Sequence, residues 1–245
     1  HFSRVKLLVI KRRNVIIFFA LLITAVTFAL CVFSLAGGSA GADVAVTTVV
    51  LDAGHGGIDG GVTGVKTGVK ESELNLKIVK VLERYLSDAG IKVVLTRKTE
   101  AGLYGVATKN LKRRDMEKRR DIIKNAKPTI VVSVHLNKFS SSSRRGAQVF
   151  YKPGDEKGKL LATCLQNSFN KDNGNARDYS PLSGDYYILN CTEYPSVIAE
   201  CGFLSNPEEE ALLITEEYRD KLAYNLFKGI INYLAETSFK NRNGA

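Results

Sequence analysis

The sequence predicts an α/β domain built on a largely parallel sheet. Short β-branched apolar runs, at Val49–Leu51, Ile91–Thr96, Thr129–Val134 and Ser196–Ala199, read as buried strands. Stretches with apolar residues at helical spacing lie between them, so strand and helix alternate along the chain. A third observation marks the working edge. Three of the runs lead into residues able to bind a metal or move a proton: His55, His135 and Glu200. In open α/β sheets, ligands bind outside the carboxyl ends of the strands.

Taken in order, the first signal is Val15–Ala36, 22 residues without a charge, long enough to cross a bilayer. Residues 1–14 are basic. The positive-inside bias predicts that they stay in the cytoplasm, with 15–36 as a transmembrane signal-anchor and the rest exported. The competing reading is a cleaved signal peptide, whose apolar core is usually about 7–15 residues, with Ala40-Gly41-Ala42 as its cleavage site. A small-residue linker over 37–44 leads into a folded domain over 45–240, and the tail from Lys240 is expected to fray. The net charge is +10, half of it on Arg4, Lys6, Lys11, Arg12 and Arg13, ahead of the first acid, Asp43. The remainder suits an anionic polymer as readily as an ordinary soluble surface. Cys164, Cys191 and Cys201 of the domain form no C-x-x-C, which argues against a thiolate zinc knuckle and leaves room for one disulfide.

Within the domain, Gly54–Gly68 is a glycine-rich loop. Glu71–Ala89 reads as an amphipathic helix through Leu74, Ile78, Val81, Leu82, Tyr85 and Leu86, with Gly90 as its stop. Ile91–Thr96 is a strand. Lys109–Ala126 is a very basic helix, either a solvated face or an anion-binding one. Thr129–His135 is the central strand, Ser140–Arg145 a basic loop, Ala147–Tyr151 a strand and Glu156–Asn170 a helix. Lys171–Asp185 reads as a polar, substrate-facing loop, and Tyr186–Asn190 and Ser196–Glu200 as strands. Asn206 at the N-cap, Pro207 at the first helical position and Glu209 at the third open a short helix. Glu216–Ala235 closes the domain as a long helix.

Two histidines make a weak metal site without a third ligand. Catalytic zinc usually takes three protein ligands and leaves a position for water, and two histidines with one glutamate is a known set. Glu71 opens a helix just after the loop that carries His55, and a helix N-terminus favours the ionised carboxylate; Glu73 competes for the role. Glu200 is then the general base for a water whose pKa the metal lowers to about 7. Cys201 beside it is either a small core residue or a nucleophile.

The stretches LDAGHGGIDGG (51–61), KESELNL (70–76), LTR (95–97), SVHLN (133–137) and PSVIAECGFLSN (195–206), in that order, resemble the zinc-dependent N-acetylmuramoyl-L-alanine amidases of the type-3 amidase family. RDIIKN (120–125) is similar to that family's arginine-containing helix. The resemblance spans roughly residues 47–236. It is strongest to the membrane-anchored, single-domain members associated with spore cortex synthesis. It implies zinc on His55, Glu71 and His135 and catalysis by Glu200. It prefers Glu71 to Glu73, because the spacing from Glu71 to Asn75-Leu76 matches. It also implies a twisted sheet of about six strands with helices on both faces, peptidoglycan as substrate, and a catalytic domain on the wall side or in the forespore intermembrane space. A protein partner that activates the enzyme in sporulation is a further expectation. Ala53 stands where the family more commonly has proline, so the loop loses a rigid residue but no ligand. The same ligand set could serve a carboxypeptidase or a deacetylase. A wall-binding regulatory module with a degenerate site is the non-enzymatic alternative, and retention of all four site residues argues against it. Nucleic-acid binding is disfavoured by the predicted export and by the lack of aromatic stacking residues near Lys109–Lys124.

Overall fold

The computed structural model describes residues 47–172 and 178–243, together with Arg13, 21–24 and 26–27. The chain divides into two units, His1–Ala45 and Val46–Ala245. Most of the expected anchor lies outside the described residues; 21–24 and 26–27 within it are helical. Among the described residues, no helix is long and apolar enough to cross a membrane.

The second unit holds β1 (Thr48–Ala53), β2 (Lys92–Leu95), β3 (Ile130–Asn137), β4 (Gln148–Tyr151), β5 (Leu182–Ser183) and β6 (Ser196–Phe203). They form one sheet in the order β2-β1-β3-β6-β4-β5. The first four run parallel, while β4 lies antiparallel to β6 with β5 parallel to β4. The sheet is thus largely parallel, as the sequence predicts, with a reversed edge. The helices are α1 (Glu71–Asp88), α2 (Leu111–Ala126), α3 (Glu156–Asp172), α4 (Tyr187–Asn190), α5 (Pro207–Leu213) and α6 (Glu216–Asn243). They cover both faces. Residues of α1, α3 and α6 share the larger core with Val49, Leu51, Val132, Val134, Val197 and Ala199. Residues of α2 and α4 share the smaller one with Val50, Val131 and Ile198. All six residues of β1 are buried, as expected of a strand covered on both faces.

Strand alternation decides what faces the site. Val134, Leu136, Ala199 and Cys201 point into the larger core. By the same alternation, His135 and Glu200 point to the opposite face, where Ile198 sits in the smaller core. His135 and Glu200 are also direct partners in the β3–β6 register, so the pairing sets them side by side.

Three expectations need correction. Tyr186–Asn190 is not a strand: Tyr187–Asn190 forms the short helix α4, with Tyr186 extended at its N-cap. An apolar run this short has no resolvable period, and Asn190 Nδ2 closes the turn by donating to Asp185 Oδ1 and Tyr186 O. The polar stretch Lys171–Asp185 is not all loop, since α3 extends to Asp172 and Leu182–Ser183 pairs with β4. α6 runs on to Asn243, past the expected fraying point at Lys240. The three cysteines of the domain are free thiols.

The start of α5 follows the sequence reading with one difference. Asn206 Oδ1 accepts from Glu208 N and Glu209 N, both at 2.9 Å. Glu209 does not reach back to complete a capping box. Its carboxylate instead accepts from Gly146 N at 2.9 Å and Phe203 N at 2.7 Å, tying the helix to the approach to β4 and the end of β6. Replacing Asn206 by Ala removes both cap bonds and should cost about 0.5–2 kcal/mol. The check is a urea titration, in which the midpoint should fall without a change of slope.

Candidate metal centre and active site

His55, Glu71 and His135 converge at the carboxyl edge of the sheet. One ligand-competent atom from each lies within 4.8 Å of the others. His55 comes from the loop after β1, Glu71 from the first position of α1, and His135 from the end of β3. Glu71 Oε1 lies 3.3 Å from His55 Nε2 and 3.0 Å from His135 Nδ1. His55 Nδ1 lies 3.0 Å from Asp59 Oδ1. The two rings meet edge-on with centroids 5.0 Å apart. Glu73, the competing acid, is not part of the cluster.

The glycine loop is shaped to let these groups meet. A Cβ on Gly54 would stand 2.2 Å from the His135 ring, and one on Gly61 would stand 2.4 Å from Glu71 Oε2. Either side chain would push a member of the cluster away. The loop also serves the start of α1, which has no side-chain cap. Its carbonyls accept the free amides of the first turn, Glu71 N to Val62 O at 2.8 Å and Ser72 N to Gly60 O at 3.1 Å. In return, Val62 N donates to Glu71 Oε2 at 2.8 Å. Helix and loop therefore fix each other, with the Glu71 carboxylate between them.

Beneath the loop lie two buried arginines. Arg119 Nη1 donates to Asp52 Oδ1 and to Ala53 O, Nη2 to His55 O at 2.6 Å, and Nε to Asp115 Oδ2 at 2.6 Å. Arg97 donates to the carbonyls of Ala53, Gly54, Ser72 and Thr99. Ala53 O thus takes bonds from both guanidiniums, which ties down the residue that leads into the loop. Burial would raise the Asp52 carboxyl, but Arg119 and hydrogen bonds from Ser133 and Thr96 outweigh it and hold it down at about 2. Burial and the charge of Arg119 lower Arg97 to about 10, so it stays cationic at neutral pH. In the arginine-containing helix Arg119 is buried, whereas Arg120 pairs with the exposed Asp121. Sequence reasoning assigned no role to Asp52, Arg97 or Arg119. The available signal was Asp115, Arg119 and Ile123 at a spacing of four, which are the buried residues of α2.

The electrostatics of the cluster favour a cation. Burial alone would lower His55, yet Glu71 and Asp59 raise it to about 9. His135 is raised as well, through Glu71 and Glu200 against the cost of burial. Glu71 is pulled well below the usual carboxylate range, the two imidazoles overcoming its burial. Two imidazoles that draw protons so strongly around one carboxylate form a donor set suited to a metal ion. Glu200 Oε2 is buried and has no hydrogen-bond partner among the described residues. Burial pushes this carboxyl up to about 7, with Glu71 adding to the rise and His135 and His55 opposing it. A cleft of about 540 Å³, lined by His55, His135, Tyr104, Tyr186, Tyr187 and Ile198, opens on the α2–α4 side. The Cys201 thiol lies in the larger core, with burial driving its pKa far up. It is no nucleophile for this site.

An α/β sheet with a histidine–glutamate–histidine cluster able to hold a metal ion at its carboxyl edge, an unpaired glutamate alongside and a cleft opening beside them has the arrangement of a hydrolase. The family model Amidase_3, N-acetylmuramoyl-L-alanine amidase, matches residues 49–232, and the chain belongs to that family. The germination-specific N-acetylmuramoyl-L-alanine amidase of Bacillus subtilis is 34% identical over 192 residues, which cover 77% of this chain and 80% of that protein. The CwlD amidase from Clostridioides difficile, solved in complex with the GerS lipoprotein, is 36% identical with a TM-score of 0.72, covering 77% of this chain and 98% of that one. The catalytic domain of CwlV, an amidase from Bacillus (Paenibacillus) polymyxa var. colistinus, is 29% identical with a TM-score of 0.68 and the same coverages. The chain is thus an enzyme that hydrolyses the amide between N-acetylmuramic acid and L-alanine in peptidoglycan.

The buried ion pair gives a pH-dependent test. Asp52 is depressed from 3.8 to about 2. Its stabilisation is therefore fully present above pH 3.8 and is lost as the pH falls toward 2, about 2 kcal/mol in all. Replacing Arg119 by Met should destabilise the protein by about 3–5 kcal/mol at neutral pH, because Asp52 and Asp115 lose their buried cation. The same variant should lack the acid-side loss. Unfolding free energies measured from pH 6 to pH 2 test both, and equal acid slopes for the two proteins would contradict the assignment.

Proposed function

We propose that the amidase is a zinc enzyme, with His55, Glu71 and His135 as protein ligands and Glu200 as the general base and acid. The observation that carries this reading is the unpaired Oε2 of Glu200 next to a histidine–glutamate–histidine cluster. A buried acceptor is normally paired, so one left bare beside the cluster is available to a reactant. When bound, zinc acidifies a water and polarises the scissile carbonyl.

The chain's own residues do the rest. The cleft positions the lactyl amide against the cluster. Glu200 takes a proton from the water that attacks the carbonyl carbon. As the C–N bond breaks, Glu200 returns that proton to the alanine nitrogen, which leaves as a free amine while the lactyl group leaves as a carboxylate. A raised pKa suits a group that must both accept and release a proton near neutral pH.

Replacing His135 by Ala should abolish zinc binding and turnover together. Glu200→Gln should keep the zinc and lose turnover by about 10²–10⁴-fold. Metal analysis beside product analysis on peptidoglycan separates these outcomes. Turnover near wild type in Glu200→Gln, or full zinc in His135→Ala, would refute the roles. A free L-alanine amine among the products distinguishes amidase action from that of a carboxypeptidase or deacetylase.

The germination-specific relative supports a role in spore cortex, with the catalytic domain on the wall side or between the forespore membranes. The complex of the Clostridioides difficile amidase with a lipoprotein supports a protein partner for this chain too. Residues 15–36 would tether the domain: five cations precede the uncharged span, and the positive-inside bias keeps them in the cytoplasm. N-terminal sequencing of the natural protein should find 15–36 retained. The chain should stay with membranes through a high-salt wash, which strips proteins held by charge alone. A mature chain beginning near Gly41 would instead mean a freely diffusing enzyme.

A further inference from the structure

We infer that Asn75 is a positioning residue for the metal centre, its carboxamide fastening the Glu71 carboxylate to the backbone of the histidine loop; this rests on the zinc reading above. Asn75 is fully buried, at 0% exposure, and lies one helical turn beyond Glu71 on α1. Its Nδ2 donates to Glu71 Oε1 at 3.1 Å and to Gly54 O at 3.3 Å. Both neighbours are acceptors. Turning the amide over would set Oδ1 against two oxygens, so only a double donor fits this position.

The other half of the side chain shows that donation is what matters. Asn75 Oδ1 is buried without a hydrogen-bond partner. Buried polar groups are almost always paired. A carboxamide with both N–H groups engaged and its oxygen bare is there for the N–H groups.

The two acceptors are not arbitrary. Gly54 is the residue against which the His135 ring packs, and it directly precedes His55. Glu71 Oε1 stands between the two imidazoles. One amide therefore links the carboxylate ligand to the chain segment that carries one histidine and supports the other. Leu136 N, at 3.1 Å from the same Oε1, holds it from the β3 side. Asn75 is fully buried and its amide donates to Glu71, so it acts through Glu71 and not on substrate. Partners that orient metal ligands typically change affinity by about 10–100-fold when removed.

The test uses the full chain as wild type, Asn75→Leu and Asn75→Ala. Zinc affinity is read by competition with a chromophoric chelator, and the melting temperature of each metal-free protein is measured alongside. Both variants should bind zinc about 10–100-fold more weakly. Metal-free Asn75→Leu should melt no lower than wild type, because leucine removes the bare acceptor and fills the space. Saturating zinc should restore most of its kcat. Unchanged zinc affinity in a folded variant overturns the inference. So does weakened affinity accompanied by an equally weakened metal-free fold, which is what a merely structural residue would give. Should Asn75→Leu not fold, Asn75→Ala decides alone. A wild-type chain that binds no zinc overturns the zinc reading itself, a result distinguishable from equal binding by wild type and variants.

Discussion

The site depends on one buried interaction, the guanidinium of Arg119 between Asp52 and Asp115. His55 has φ 62, in the left-handed region that costs a side-chain-bearing residue roughly 1–2 kcal/mol. Such a conformation persists only where its surroundings over-determine it. Here they do. Arg119 binds the His55 carbonyl, both arginines bind Ala53 O, and Arg97 adds Gly54 O. An unpaired guanidinium could not do this from inside the protein, because desolvating it is too costly. The flanking carboxylates make a cation tolerable at that depth, and the cation holds the loop. Asp115 extends the hold by accepting from Leu103 N at 2.6 Å, which brings the 98–110 loop against the same cluster.

A second constraint works through space and not charge. His135 projects from a strand with its own fixed alternation, and Glu71 from the first turn of a helix. Their side chains can meet only if the intervening loop has no side chains at the crossing points. Gly54 and Gly61 are those points. The loop is not slack for being glycine-rich, because its carbonyls cap α1 and Val62 N binds Glu71. Side chains drawn from a loop, a helix and a strand are thereby held to one geometry, which suits the proposed role of gripping a small ion.

Much of the architecture was legible in the sequence, and the reasons differ from element to element. The buried strands announced themselves because both faces are covered and their sequences are continuously apolar. α1 was legible because its buried residues repeat at helical spacing over five turns. The two histidines stood out because histidine is scarce in this chain. What failed was short or masked by composition. α4 has four residues and β5 two, too few for any period to show. Arg119 was hidden among the cations of α2, since a basic helix reads as a solvated face. Its partner Asp52 lies 67 positions away. Local patterns do not report pairings over such separations. The reversed edge of the sheet was illegible for the same reason: strand direction is set by which neighbour a strand finds, and β4 finds β6.

Glu200 and Cys201 show how far a single residue of register matters. They are adjacent in the chain, and either could be read as a catalytic group from the sequence. The pleat of β6 sends them to opposite faces. Cys201 enters the larger core, where burial drives its thiol pKa far up and makes it inert. Glu200 stands beside His135, its register partner, on the face opposite the larger core. The parity that makes Val197, Ala199 and Cys201 a hydrophobic set is also what leaves Glu200 on the side of the cleft. A slip of one residue would take this set out of the larger core and put the carboxylate into it, so the hydrophobic demand of the larger core fixes the position of the glutamate. In this domain, core packing and the placement of the glutamate proposed as the general base are two consequences of one strand register.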